Sequence, residues 1–164
     1  KVKGLKIGDP FQEETELSCT LHPQSMQKAR AHIEDALKKG AQTHLKAQEG
    51  FEPEILTGVT PDMRIFNEET FGPVAPIIRF KTLEEAIAIT NDTEYGLQTG
   101  IFTERFKDFK WAAKQLNVGA VILNNGPQYA NPNIPFGGVK KSGRGREGVK
   151  YAVREMSTIK TIVI

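Results

Sequence analysis

Between positions 75 and 125 the hydrophobic pattern changes period four times. "APIIRF" (75–80) is a short β-type run, "TLEEAIAITND" (82–92) carries apolar residues three and four apart, and "TGIFT" (99–103), "ERFKDFKWAAKQLN" (104–117) and "AVILNN" (120–125) repeat the alternation. Strand, helix, strand, helix, strand with short connections leaves few topologies, because parallel neighbours need a crossover and a right-handed crossover packs the helix back on the sheet. The pattern predicts an α/β fold with a parallel βαβαβ core. Thr82 and Glu85 stand at the two positions of a capping box, with Leu83, Ala86 and Ile87 as the buried stripe behind them. The next helix is expected to bury Phe106, Phe109, Ala113 and Leu116 and to stop at Gly119. Upstream, Met26, Ala29, Ile33, Ala36 and Leu37 predict a helix over 23–39, with Pro23 in its first turn and Gly40 at its C-terminal cap. "EILTGV" (54–59) reads as a short strand within a Gly/Pro-rich loop.

The last third is different. "GPQYANPNIPFGGVKKSGRGREG" (126–148) is a long irregular segment, and loops of that length in compact domains are functional or disordered. A short helix is expected at about 147–155, and the closing "TIKTIVI" (158–164) alternates like an edge strand whose open hydrogen bonds call for another chain. Composition adds bounds. The 164 residues suffice for one well-buried domain, and a net charge of +2 implies no nucleic-acid partner. No apolar run approaches a membrane span, and the opening "KVKGLKIGDP" shows no cleavage signal, so a cytoplasmic location is expected. Cys19 is alone and cannot form an internal disulfide.

Several motifs invite chemistry. "GRGREG" (143–148) has the G-x-G-x-x-G spacing of a dinucleotide loop, but it follows a Gly/Pro loop rather than a strand and leaves no room for a βαβ unit after it. A tight turn into a helix N-terminus explains those glycines better. "GGVKKS" (137–142) lacks the second glycine that a phosphate-binding loop needs before Lys-Ser. Cys19, three residues before His22, has the residue types of a nucleophile and base, yet a single cysteine is commonly a small buried hydrophobe. His22, His32 and His44 show no metal-ligand spacing, so solvated or capping roles and no metal site are expected. Of the adjacent carboxylates Glu68 and Glu69, only one can enter a given site, because neighbouring side chains on an extended chain point to opposite faces.

From "NEETFGPVAPIIRF" (67–80) onward the chain resembles the aldehyde dehydrogenase superfamily. The similarity runs through "NDTEYGLQTGIFT", "NVGAVILNN", "PFGGVKKSGRGREG" and "KTIVI", and the upstream "KIGDP" and "VTPDMRIFNEETFGP" keep the family's order. It covers nearly the whole chain and resembles the C-terminal third of such an enzyme. The resemblance divides the chain into the C-terminal part of the catalytic domain (1–146) and a helix with an oligomerisation strand (147–164), implying a homo-oligomer. It implies NAD or NADP as cofactor and a small aldehyde as substrate, oxidised to its acid. By position Glu69 matches the glutamate that accepts hydrogen bonds from the nicotinamide-ribose hydroxyls, and Phe71 the aromatic residue beside the nicotinamide ring. Asn124, Tyr129 and Phe136 fall near the loop that lines the substrate tunnel.

No catalytic residue is expected within these 164 residues. The family's nucleophilic cysteine, oxyanion-holding asparagine, general-base glutamate and Rossmann half would lie upstream, and "LSCTLHP" around Cys19 does not match the nucleophile's context. The tail "REGVKYAVREMSTIKTIVI" (146–164) is similar to the branch acting on small hydroxylated or phosphorylated aldehydes, such as lactaldehyde and glyceraldehyde 3-phosphate. Ala130 follows Tyr129 where phosphate-handling members carry an arginine, which argues against a phosphorylated substrate. Two other readings remain at this point: a stand-alone binding or oligomerisation module, and a hydrolase using Cys19 and His22.

Overall fold

The computed structural model describes residues 2–18, 22–45 and 53–164. The chain forms two compact units, Lys1–Phe80 and Lys81–Ile164. In the first, β1 (Ile7–Gly8) and β2 (Leu17–Ser18) form a parallel pair, and α1 (Pro23–Lys38) follows. A three-stranded sheet in the order β3–β4–β5 joins β3 (Gln42–Leu45) antiparallel to β4 (Glu54–Thr57), and β4 parallel to β5 (Val74–Ile77), with α2 (Arg64–Asn67) between the last two in sequence. Pro76 fits β5 because an edge strand can forgo one ladder donor. Ala36, Ala41, Leu56, Val59, Met63 and Ile65 make the core, against which Ile33, Phe66, Val74 and Ile78 pack.

Helix α1 starts as its sequence dictates. Pro23 sits in the first turn, and the His22 ring accepts a hydrogen bond from the Gln24 amide, a capping role for that histidine. Its buried face corrects the expected stripe: Ala29, His32 and Ala36 are buried, whereas Leu37 is exposed. His32 is wholly buried, not solvated, because both ring nitrogens find polar partners on the segment packed against it.

The second unit contains α3 (Leu83–Asn91), β6 (Tyr95–Gly96), β7 (Gln98–Ile101), α4 (Phe106–Gln115), β8 (Ala120–Leu123), β9 (Val139–Lys140) and α5 (Val149–Glu155). Strands β7 and β8 run parallel across α4, and β6 pairs antiparallel with β9. The parallel α/β character is as expected, but it is divided between two ladders: the "APIIRF" strand pairs with β4, and the other two strands of the pattern pair with each other. The capping box at α3 forms with one shift. Thr82 accepts from the Glu85 amide at 3.2 Å, while the Glu85 carboxylate reaches past the cap to the Lys81 amide at 2.7 Å.

One expectation fails in this unit. Phe106 is 60% exposed, stacked on Phe109 at 6.0 Å between centroids, with the Lys110 ammonium over its ring. At about 100° per residue it lies about 20° beyond Ala113, at the rim of the stripe that Phe109, Ala113 and Leu116 share and roughly 120° round the helix from the buried Ala112. The closing "TIKTIVI" forms neither helix nor strand. Ile159 is 95% and Val163 90% exposed, and no strand among the described residues pairs with the segment.

Candidate cofactor-binding site

Helix α2 ends at Asn67, and Glu68 is already extended, with φ −104° and ψ 143°. The next residues alternate as an extended chain must: Glu68, Thr70 and Gly72 are partly covered, while Glu69 and Phe71 are exposed. The two adjacent glutamates therefore part to opposite sides. Phe71 is 67% exposed, so it is no core anchor, and Glu69 shares its solvent-facing side two residues away.

The covered side is fastened to α1. The His32 ring places Nδ1 2.6 Å from the Thr70 hydroxyl and Nε2 3.1 Å from a Glu68 carboxylate oxygen. The Arg64 guanidinium donates twice to the same carboxylate, at 2.7 and 3.0 Å, one turn away on α2. The Asp35 carboxylate accepts the otherwise unmatched Arg64 amide at the start of α2, at 2.9 Å. One helical turn from His32, a Cβ on Gly72 would stand 2.7 Å from the Ala29 Cβ, so only glycine lets the segment lie this close to α1.

Charge follows this geometry. The Arg64 hydrogen bonds, with a smaller contribution from His32, hold the Glu68 carboxyl far below its ordinary range, at about 2. The Arg64 guanidinium is raised in turn, chiefly by Glu68, and Asp35 is lowered, chiefly by the backbone hydrogen bond from Arg64. Because the folded value of Glu68 lies below the unfolded value of 4.5, its contribution to stability is complete above that pH and is lost as pH falls toward about 2. Thermal unfolding of the protein from about pH 5 down to about pH 2 should therefore show a melting temperature that falls less steeply in Glu68→Gln than in the parent. Parallel slopes would remove Glu68 from the acid response.

The second unit carries the other sequence-derived candidates. Asn124 follows β8 in the left-handed region, φ 52°, and its side chain clasps the Thr103 backbone, accepting from the amide at 2.8 Å and donating to the carbonyl at 3.0 Å. Tyr129 is 39% exposed, and its carbonyl accepts from Gln98 at 3.4 Å. Phe136 is half-buried and bridges antiparallel to Glu147. "GRGREG" follows the two-residue strand β9, which pairs antiparallel with β6 and begins no βαβ unit: Gly145 and Gly148 take positive φ, Arg146 donates to the carbonyls of Gly138 and Gly145, and Gly148 caps the short α5. Those glycines make turns.

Cys19 lies outside the described residues, and His44 is an exposed residue of β3. No group of three metal-ligating side chains occurs among the described residues. Sequence reasoning missed His32 and Thr70. The signal was available in the spacing, since His32 falls three residues after Ala29 and four before Ala36, in the middle of an apolar stripe.

The family model for the aldehyde dehydrogenase family matches residues 1–162, and the chain belongs to that family. Among curated relatives, it is 44% identical to a sulfoacetaldehyde dehydrogenase of Neptuniibacter caesariensis over 167 residues, covering 100% of this chain and 37% of the relative. It is 39% identical to a lactaldehyde dehydrogenase of Methanococcus aeolicus over 166 residues, covering 100% of this chain and 36% of the relative. Among solved structures, the glyceraldehyde-3-phosphate dehydrogenase of Methanocaldococcus jannaschii, complexed with NADP, superposes with a TM-score of 0.90 at 41% identity, over 99% of this chain and 36% of that one. The chain thus spans little more than a third of the length of these relatives.

Proposed function

We propose that this chain is the C-terminal third of an NAD(P)-dependent aldehyde dehydrogenase, inactive by itself, and that it supplies part of the cofactor site. One observation carries the reading: in a chain of this family, the exposed face of the 68–72 segment presents a carboxylate, Glu69, and a ring, Phe71, two residues apart. The fit to a nicotinamide riboside is chemical. A carboxylate can accept from two vicinal hydroxyls at once, and a flat apolar ring beside it restricts the base. When bound, NAD(P)+ supplies the hydride acceptor for oxidation of an aldehyde to its acid. Glu69 would hold the ribose and Phe71 would limit where the nicotinamide lies.

The substrate is a small polar aldehyde, in keeping with relatives that act on sulfoacetaldehyde and lactaldehyde. Ala130 offers no cation after Tyr129, which favours an unphosphorylated one. Asn124, Tyr129 and Phe136 belong to the tunnel-lining loop region in this reading, with Asn124 acting through its clasp on Thr103. Residues 1–146 belong to the catalytic domain and 147–164 to an oligomerisation element whose exposed apolar side chains await another subunit. In this reading the enzyme is a cytoplasmic homo-oligomer, the exposed apolar tail supporting the oligomer. The test is NAD(P)H formation from lactaldehyde or sulfoacetaldehyde by this chain alone and by the longer polypeptide that contains it. Turnover only by the longer polypeptide is expected; turnover by the 164 residues alone would overturn the proposal.

A further inference from the structure

We propose that His32 is a positioning residue for the cofactor, holding Glu68 and Thr70, the two residues that flank Glu69, to one rigid ring on α1 and so fixing where the Glu69 carboxylate is presented. This rests on the reading of Glu69 as the ribose ligand.

The ring's two nitrogens are both engaged, and by residues two apart in sequence. The Glu68 carboxylate accepts only, so Nε2 carries the hydrogen it donates at 3.1 Å. In the neutral ring Nδ1 is then an acceptor for the Thr70 hydroxyl at 2.6 Å. Coverage alternates along the segment, with 68 and 70 covered and 69 exposed, so a ring that grips positions 68 and 70 leaves 69 on the solvent side. The ring itself has little freedom: it is wholly buried, and Gly72 lies against Ala29 one turn away on the same helix face. Arg64 holds the other side of the Glu68 carboxylate, so the anchor resists displacement from two directions.

Burial alone requires that both ring nitrogens be satisfied; that the partners are the residues on either side of one exposed carboxylate is what couples the ring to Glu69. The consequence for binding is positional. A ligand group displaced by a fraction of an ångström loses much of its hydrogen bonding, which is why supporting residues matter to sites they never touch.

The test is a double-mutant cycle on the longer polypeptide that contains this chain, read as the Kd for NADH and for NADPH by fluorescence titration. Glu69→Ala is expected to weaken binding about a hundredfold, the loss of two charge-assisted hydrogen bonds. His32→Leu and Thr70→Val should each weaken it about tenfold, within the range for residues in one network. Combined with Glu69→Ala, neither should weaken it further, because their effect passes through that carboxylate. Thr70→Val removes only a hydroxyl from a partly covered position, so it reports even where His32→Leu does not fold. If Glu69→Ala weakens binding but Thr70→Val does not, or if the losses simply add, the positioning role is wrong and the reading of Glu69 stands. If Glu69→Ala leaves both affinities unchanged, the reading of Glu69 fails and the inference with it.

Discussion

Replacing Glu69 by alanine is expected to be the most damaging single change to cofactor affinity anywhere in this chain. The side chain is exposed and is not part of the core cluster, so the fold should survive. What would disappear, on the proposed reading of Glu69, is the acceptor for two ribose hydroxyls, and hydrogen bonds to a charged partner contribute about 1.5–3 kcal/mol each. The sum corresponds to about a hundredfold or more in Kd for NAD(P)H, with KM for the cofactor rising in parallel. Glu69→Gln, which keeps one acceptor oxygen, should fall between the two. Unchanged melting temperature with weakened cofactor binding is the expected pair of results; unchanged affinity would remove Glu69 from the site.

The largest expected loss of stability comes from Gly119→Ala. A Cβ at Gly119 would stand 1.8 Å from the Gly137 carbonyl oxygen and 2.8 Å from that of Leu97, and both obstacles are backbone. No rotamer change relieves such a contact. The Gly119 amide also donates to the carbonyls of Gly96 and Leu97, so displacement would uncouple the entry to β8 from β6 and β7. Overpacking and broken backbone bonding together should cost on the order of 3 kcal/mol or more. Gly4→Ala, with nothing within 4 Å of the added Cβ, is the matching control. Circular dichroism melting should show a fall of several degrees or failure to fold for Gly119→Ala and little change for Gly4→Ala. Equal melting temperatures would mean that the Gly137 loop yields freely.

Much of this was legible in the sequence because it is local. The period changes between 75 and 125 gave the right elements, and the Thr82–Glu85 pair marked a helix start that the hydrogen bonds bear out. The separation of Glu68 from Glu69 also followed from strand geometry alone. What escaped depends on partners distant in the chain. Strands β1, β2, β6 and β9 are two residues each, too short to show a period, and exist through their pairing. His32 is buried only because Glu68 and Thr70, more than thirty positions away, satisfy its nitrogens. Phe106 carries a hydrophobic side chain at the rim of its helix's apolar stripe, and the terminal Ile/Val alternation has no strand partner among the described residues. Local pattern sets which residues want burial, and long-range geometry decides which obtain it.

The proposed grip of the 68–72 segment's exposed face on the nicotinamide riboside is open to direct observation. It is tested most directly by a crystal structure of the complete enzyme with NADH or NADPH bound. The expected result is a Glu69 carboxylate oxygen within about 2.6–3.2 Å of the ribose hydroxyls, with the Phe71 ring in contact with the nicotinamide and His32 still joined to Glu68 and Thr70. A ribose held by other groups, with Glu69 turned into solvent beyond hydrogen-bonding reach, would contradict it.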